Sequence, residues 1–220
     1  MKASIDTDIV IHLYTSDKKD LIFSFFDKLY MHEYLYENEL KHKSIMVYNS
    51  FSSDVAEGLV EIVTNKDLIS MGIKGLFDGY KRDYEYLFDM GELYAVSLAK
   101  AMGLVAFVSD DTKDGGPHET LVKELIEDVI PFAFYELLFL KYIDSEVTLD
   151  EMHQEFEHVN LISMNQHPMK FRSKMLTTVR RFSYRNGTDR DYKWICEFCS
   201  HKKINYKYKM QELKDFLNKF

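Results

Sequence analysis

Apolar positions recur along this chain at two periods, one suited to buried strands and one to the helices that cover them. "ASID" is a short β-type segment, followed by "TDIVIHLYTS", a first helix that Asp8 could cap. "KKDLIFSFFDKL" predicts an amphipathic helix, and "YMHEYLYENEL" opens β-like and becomes helical. Residues 52–88 read as mostly helical, with a break near "SMGIKG". Ala95, Leu98, Ala99 and Met102 stand at i, i+3, i+4 and i+7, which makes one apolar helix face. Gly103 stops that helix. "LVAFV" is then a continuous apolar run of strand length, the mark of a parallel strand buried on both faces. "DDTKDGGP" is loop, "HETLVKELIEDV" a further helix, "IPFAFY" a candidate strand and "ELLFLKYI" another helix. Strand and helix alternating in this way predict an α/β fold with a parallel sheet.

Composition narrows the class. At 220 residues, 46% of them apolar and 29% charged, the chain has room for a full core and the balance of a soluble globular protein. No run approaches the ~18 apolar residues of a membrane span, and the first residues carry charge too early for a secretory signal. Two late cysteines argue against a disulfide scaffold. Together these predict a cytoplasmic protein without a membrane partner.

Charge then divides the chain. Residues 1–167 hold 14 Lys+Arg and 31 Asp+Glu, a net of −17, while residues 168–220 hold 14 and 5, a net of +9. The sum recovers the overall −8. We therefore expect an α/β domain over 1–150 and a mainly helical, basic and aromatic extension over 151–220. The extension either neutralises the acidic body or offers a polyanion a cationic surface.

The acidic residues carry the candidate chemistry. In open α/β sheets ligands sit at the carboxyl ends of the strands. Asp6 ends the first strand with Asp8 just beyond, and Asp110 and Asp111 end "LVAFV". Glu92 begins the helix that leads into that strand, and Glu37 and Glu39 follow an earlier segment. Each has a structural alternative. Asp89 and Glu92 have the spacing of a helix cap, Asp8 could cap the first helix, and Asp110 and Asp111 could serve a turn. Carboxylates that converge on one sheet edge repel each other unless a cation compensates. Oxygen ligands without a nearby His or Cys suit Mg²⁺ or Mn²⁺.

"SIDTDIVIHL", "YLYENEL", "DMGELYAVSLAKAMG" and "LVAFVSDD" occur in the order and with the character seen in PIN-domain nucleases, which residues 1–150 resemble. The resemblance implies a three-layer α/β/α sandwich around a parallel sheet and a Mg²⁺- or Mn²⁺-dependent endoribonuclease site. Asp6 matches the family's first acid, and Asp8 sits where the family often has Asn or Ser. Glu39 matches the second acid, Glu92 the third, and Asp110 or Asp111 the fourth. Asp6, Glu39, Glu92, Asp110 and Asp111 are the implied catalytic set, with Asp6, Asp8, Glu92, Asp110 and Asp111 as metal ligands. The substrate class it implies is single-stranded or looped RNA. Many bacterial PIN-like proteins are toxins held by an antitoxin, so the resemblance leaves open an antitoxin-like protein inhibitor and a homodimer.

Other readings stay open. The chain could be a catalytically inactive nucleic-acid-binding or scaffold protein. "DTDIV" also resembles the first motif of haloacid dehalogenase-type phosphohydrolases, which would make Asp6 a covalent nucleophile. In the extension, Lys170, Arg172, Lys174, Arg180, Arg181 and Arg185 are interleaved with Phe and Tyr, a mixture that suits phosphate contact and base stacking. Cys196, Cys199 and His201 are either half of a zinc site, with His153, His158 or His167 completing it, or ordinary reduced thiols near Trp194.

Overall fold

The computed structural model describes residues 1–110, 126–163, 168–183 and 189–219. The chain divides into two compact units, Met1–Phe134 and Tyr135–Phe220, so the division falls earlier in the chain than the change in charge.

In the first unit, β1 (Lys2–Ile5) leads into α1 (Thr7–Thr15) and the single turn α2 (Asp20–Phe23). β2 (Lys28–His32) follows, then a π-helical turn (Leu35–Leu40) that runs into α3 (Lys41–Lys43) and α4 (Ile45–Ala56). β3 (Val60–Val63), α5 (Asn65–Ser70), α6 (Lys74–Tyr84) and α7 (Met90–Met102) precede β4 (Ala106–Val108) and β5 (Ile130–Phe132). The five strands form one wholly parallel sheet in the order β3-β2-β1-β4-β5. The α/β class and the parallel sheet expected from the alternation are therefore present.

β1 lies at the centre of the sheet. Ala3 pairs with Leu29 on one side and Ala106 on the other, and Ala3, Ser4 and Ile5 are fully buried. Both faces of the strand are covered, as a parallel sheet requires. α7 packs over β1, β2 and β4. Its small residues let it lie close, and Ser4 Oγ donates to the Ala95 carbonyl at 2.6 Å. Gly103, at φ 63°, ends α7 in the left-handed conformation that favours glycine.

Two expectations are corrected here. The amphipathic helix over 18–29 shrinks to α2, because Lys28 and Leu29 belong to β2, where Leu29 is fully buried between neighbouring strands. The run "LIFSFF" is too short to separate a buried helix from a turn before a strand. The helical reading of 52–88 missed β3, an edge strand only four residues long that follows the turn at Gly58 (φ 81°). "LVAFV" and "IPFAFY" each shorten to three-residue strands, Val105 being half exposed and Phe134 already helical. The helix expected over "HETLVKELIEDV" lies largely outside the described residues.

The second unit is helical among its described residues. It comprises the remainder of α8 (Phe134–Ile143), then α9 (Leu149–Ser163), α10 (Phe171–Arg181), α11 (Asp189–His201) and α12 (Tyr206–Leu217). Its core is aromatic. Phe139 stacks on Phe182 at 5.6 Å, and Phe171 meets Phe156 edge-on at 5.2 Å. A buried charge cluster joins three helices. Arg181 donates to Glu136 and to Asp191, each at 2.7 Å, and both acids are fully buried. No helix among the described residues is long and apolar enough to cross a membrane.

Candidate active site

The strand order places a crevice. From β1 the chain winds outward through β2 to β3, then resumes on the other side of β1 with β4 and β5. The carboxyl ends of β1 and β4 therefore flank the point where the winding reverses, where ligands of such sheets bind. Asp6 and Asp110 stand at those two ends.

Asp6 is 2% exposed. Its backbone N–H donates to the Val108 carbonyl at 2.9 Å, which ties the end of β1 to β4. It is the N-cap of α1, and one carboxylate oxygen accepts from the Thr7 N–H at 2.5 Å. The other oxygen accepts from Ser109 Oγ at 2.9 Å. Asp110, also buried, accepts from the Phe134 N–H at 2.8 Å and meets His12 Nδ1 at 3.2 Å.

The start of α7 closes on Asp6 from another side. Asp89 supplies the N-cap and accepts from the Glu92 N–H at 3.0 Å. Glu92 is 2% exposed, in the first turn. Between them, Gly91 lies against Asp6. A Cβ at position 91 would overlap the near carboxylate oxygen of Asp6 and lie 3.1 Å from its carboxyl carbon. Glycine is what lets the acid at the end of β1 meet the first turn of α7.

Glu39 reaches the same place from the π-helical turn. Its Oε2 accepts from Thr7 Oγ1 at 2.8 Å, so it stands one residue from Asp6. Single π-turns recur at functional sites because the wider turn re-aims side chains. Asp8 is held by Lys43, whose Nζ is 2.8 Å from Asp8 Oδ1, 3.4 Å from Glu39 Oε2 and 3.4 Å from Thr7 Oγ1.

The electrostatics follow from this crowding. Burial first, and then the charges of Asp8 and Asp89, push the Asp6 carboxyl up to about 7, against the bonds from Ser109 and Thr7. Burial works against a charged His12, but the hydrogen bond and charge of Asp110, with Asp8 and Asp6 beyond, prevail and raise it. Lys43 is likewise raised: Asp8, Glu39 and Asp6 outweigh its own desolvation. At the end of β2, His32 is buried between Phe77 and Tyr94, and that burial lowers it to about 4.

Asp6, Asp8, Glu39, Glu92 and Asp110 are thus all at this end of the sheet, and Asp111 lies outside the described residues. Sequence reasoning missed Thr7, His12, Gly91 and Lys43, the groups that connect the acids. Nothing in their spacing marks them, because each is defined by what it touches.

A divalent cation is the group this crevice could hold. The donors are hard carboxylate oxygens, and the Lys43 ammonium stands among the acids as a cation does. In kind, the residues fit Mg²⁺ or Mn²⁺. Among the described residues no three Asp, Glu, His or Cys side chains are gathered as a ready-made metal cluster. Asp8 faces Lys43 and Asp110 faces His12 instead.

The basic residues separate into two kinds. Lys170, Arg172 and Arg180 are exposed. Lys174 is 2% exposed with its ammonium over the Tyr135 ring, and Arg181 is buried between Glu136 and Asp191. The expected phosphate contacts at Lys174 and Arg181 are therefore corrected: a buried cation, over a ring as Lys174 is or between two acids as Arg181 is, has no surface to offer. Arg185 and His167 lie outside the described residues. Cys196 and Cys199 share α11, with Cys199 buried and its thiol pushed up to about 11 by that burial, and no three-residue ligand group forms around them among the described residues. No family model, curated protein or solved structure matches this chain.

Proposed function

We propose that the crevice at the ends of β1 and β4 hydrolyses phosphodiester bonds of single-stranded or looped RNA with the aid of Mg²⁺ or Mn²⁺, in a PIN-like three-layer fold. The observation that carries this is the fit of Asp6 against Gly91. A carboxylate is buried at the switch point of a parallel sheet, against the first turn of α7 and in the field of Asp8 and Asp89. A fold tolerates that concentration of like charge where a cation relieves it. Asp6, Asp8 and Glu92 would hold the cation, with Asp110 at the end of the neighbouring strand β4. When bound, the cation activates a water and offsets charge on the phosphoryl oxygens. Thr7 and Ser109 orient the Asp6 carboxylate, Gly91 leaves that carboxylate room against α7, and His12 fixes the orientation of Asp110. Lys170, Arg172 and Arg180 supply phosphate contacts that the acidic crevice cannot.

The test is cleavage of a fluorescent single-stranded RNA with Mn²⁺, with EDTA, and with Asp6→Asn and Glu92→Gln. Activity should need the metal and should fall by at least two orders of magnitude in both variants. Cleavage that survives either variant or EDTA places the chemistry elsewhere. A second reading, a non-catalytic RNA-binding protein, draws on one observation: Lys43 and His12 already neutralise Asp8 and Asp110. RNA binding without cleavage under any metal would favour it.

A further inference from the structure

Lys43 is the last residue of α3, a three-residue helix continuous with the π-helical turn that carries Glu39. Lys41, the first residue of the same helix, pairs with Glu37 at 2.8 Å. Lys43 is equally exposed but turns to the acids at the start of α1. Its ammonium meets Asp8, Glu39 and the Thr7 hydroxyl together, and Thr7 is the residue that also binds Asp6. An exposed ion pair is worth little to stability, so three oxygen partners on one ammonium call for another explanation. An ammonium with three donors is the nearest a side chain comes to a small hydrated cation.

We propose that Lys43 is a tethered counter-cation of the crevice, occupying its acids when no divalent ion is present and competing with that ion for them. The inference rests on the reading that the crevice takes a divalent cation, and it adds how the empty and loaded forms exchange. The two cations share Asp8, which cannot fully coordinate both. Entry of the ion therefore releases the ammonium, which stays near the crevice on its half-exposed four-carbon stem. A freed ammonium beside a phosphodiester-cleaving site is a phosphate ligand. Lys43 thus neutralises the acids in one state and an anionic substrate in the other.

The test uses Mn²⁺ alone, without RNA, by titrating the full chain and reading free Mn²⁺ by electron paramagnetic resonance. Lys43→Gln should bind Mn²⁺ roughly five- to ten-fold more tightly than the parent, the scale of one modest ion pair. Lys43→Arg keeps the competing charge and should keep the parental affinity, as should Lys41→Gln at the start of the same helix. Melting in EDTA checks that each variant is folded. If the parent binds Mn²⁺ and Lys43→Gln binds it equally or more weakly, Lys43 is a surface ion pair only and the inference falls while the cation site stands. If Lys43→Arg tightens binding as Lys43→Gln does, removal of the charge is not the cause and the inference also falls. If neither parent nor Lys43→Gln binds Mn²⁺, the cation reading of the crevice fails and takes this inference with it.

Discussion

Asp6→Asn should stabilise the metal-free protein, and by an amount that grows with pH. Asn keeps an oxygen that can accept from the Thr7 N–H, while its NH2 replaces the oxygen that accepts from Ser109 Oγ, so the pH-dependent part of the difference isolates the charge. The folded state holds the Asp6 carboxyl at about 7, against 3.8 for the free side chain. An acid whose folded pKa lies above its unfolded pKa binds more protons when folded. Stability is therefore greatest below the unfolded value and declines as pH rises through the window between the two. Roughly three units at 1.36 kcal/mol each set a ceiling of about 4 kcal/mol for the penalty at high pH. Between pH 5 and pH 8 the linkage integral leaves roughly 2–3 kcal/mol of that change. For a chain of this size it corresponds to roughly 5–10 °C in melting temperature. The assay is thermal melting of parent and variant in EDTA across that range, read as the difference between them. Subtraction removes His32, whose lowered pKa works in the opposite direction, costing stability as pH falls toward 4. A gap that stays flat or narrows with rising pH would refute the argument, because buried like charge would then not be what raises Asp6. Saturating Mn²⁺ should narrow the gap, stabilising the parent by roughly 2.7 kcal/mol at a hundred times Kd and leaving the variant unchanged.

Three further outcomes follow from particular contacts. Gly91→Ala, usually favourable inside a helix, should destabilise by roughly 1–3 kcal/mol through overpacking against Asp6; pairing it with Asp6→Ala should recover most of that loss, and additive melting changes would show that the contact is not the cause. Arg181→Ala should cost about 3–5 kcal/mol in urea denaturation by stranding Glu136 and Asp191, and a loss under 1 kcal/mol would contradict the buried cluster. Replacing Lys170 and Arg180 with Gln should flatten the salt dependence of RNA binding by about 0.7 in log–log slope for each lost phosphate contact, while Lys170→Arg should leave it intact.

Alternation of apolar runs was enough to establish an α/β fold with a parallel sheet, because a strand covered on both faces must be apolar throughout, as "LVAFV" is. The acids at Asp6, Glu92 and Asp110 were legible for a related reason: topology fixes which end of a parallel strand binds ligands, and a chain read from its N-terminus shows that end directly. β3 was not legible. Its Val-Glu-Ile-Val favours a strand, but four residues between helical runs are too few to stand out by periodicity, and pairing with β2 settles them. The even spread of positive charge over 168–220 also concealed a difference that only packing creates, with Arg180 exposed and its neighbour Arg181 buried between two acids. The same holds for Gly91, His12 and Lys43. Each owes its place to a partner distant in the chain, Asp6, Asp110 and Asp8 in turn. Sequence determines which residues can ionise, hydrogen-bond or leave space, whereas proximity is a property of the folded chain, and proximity is what sets their charge and their chemistry.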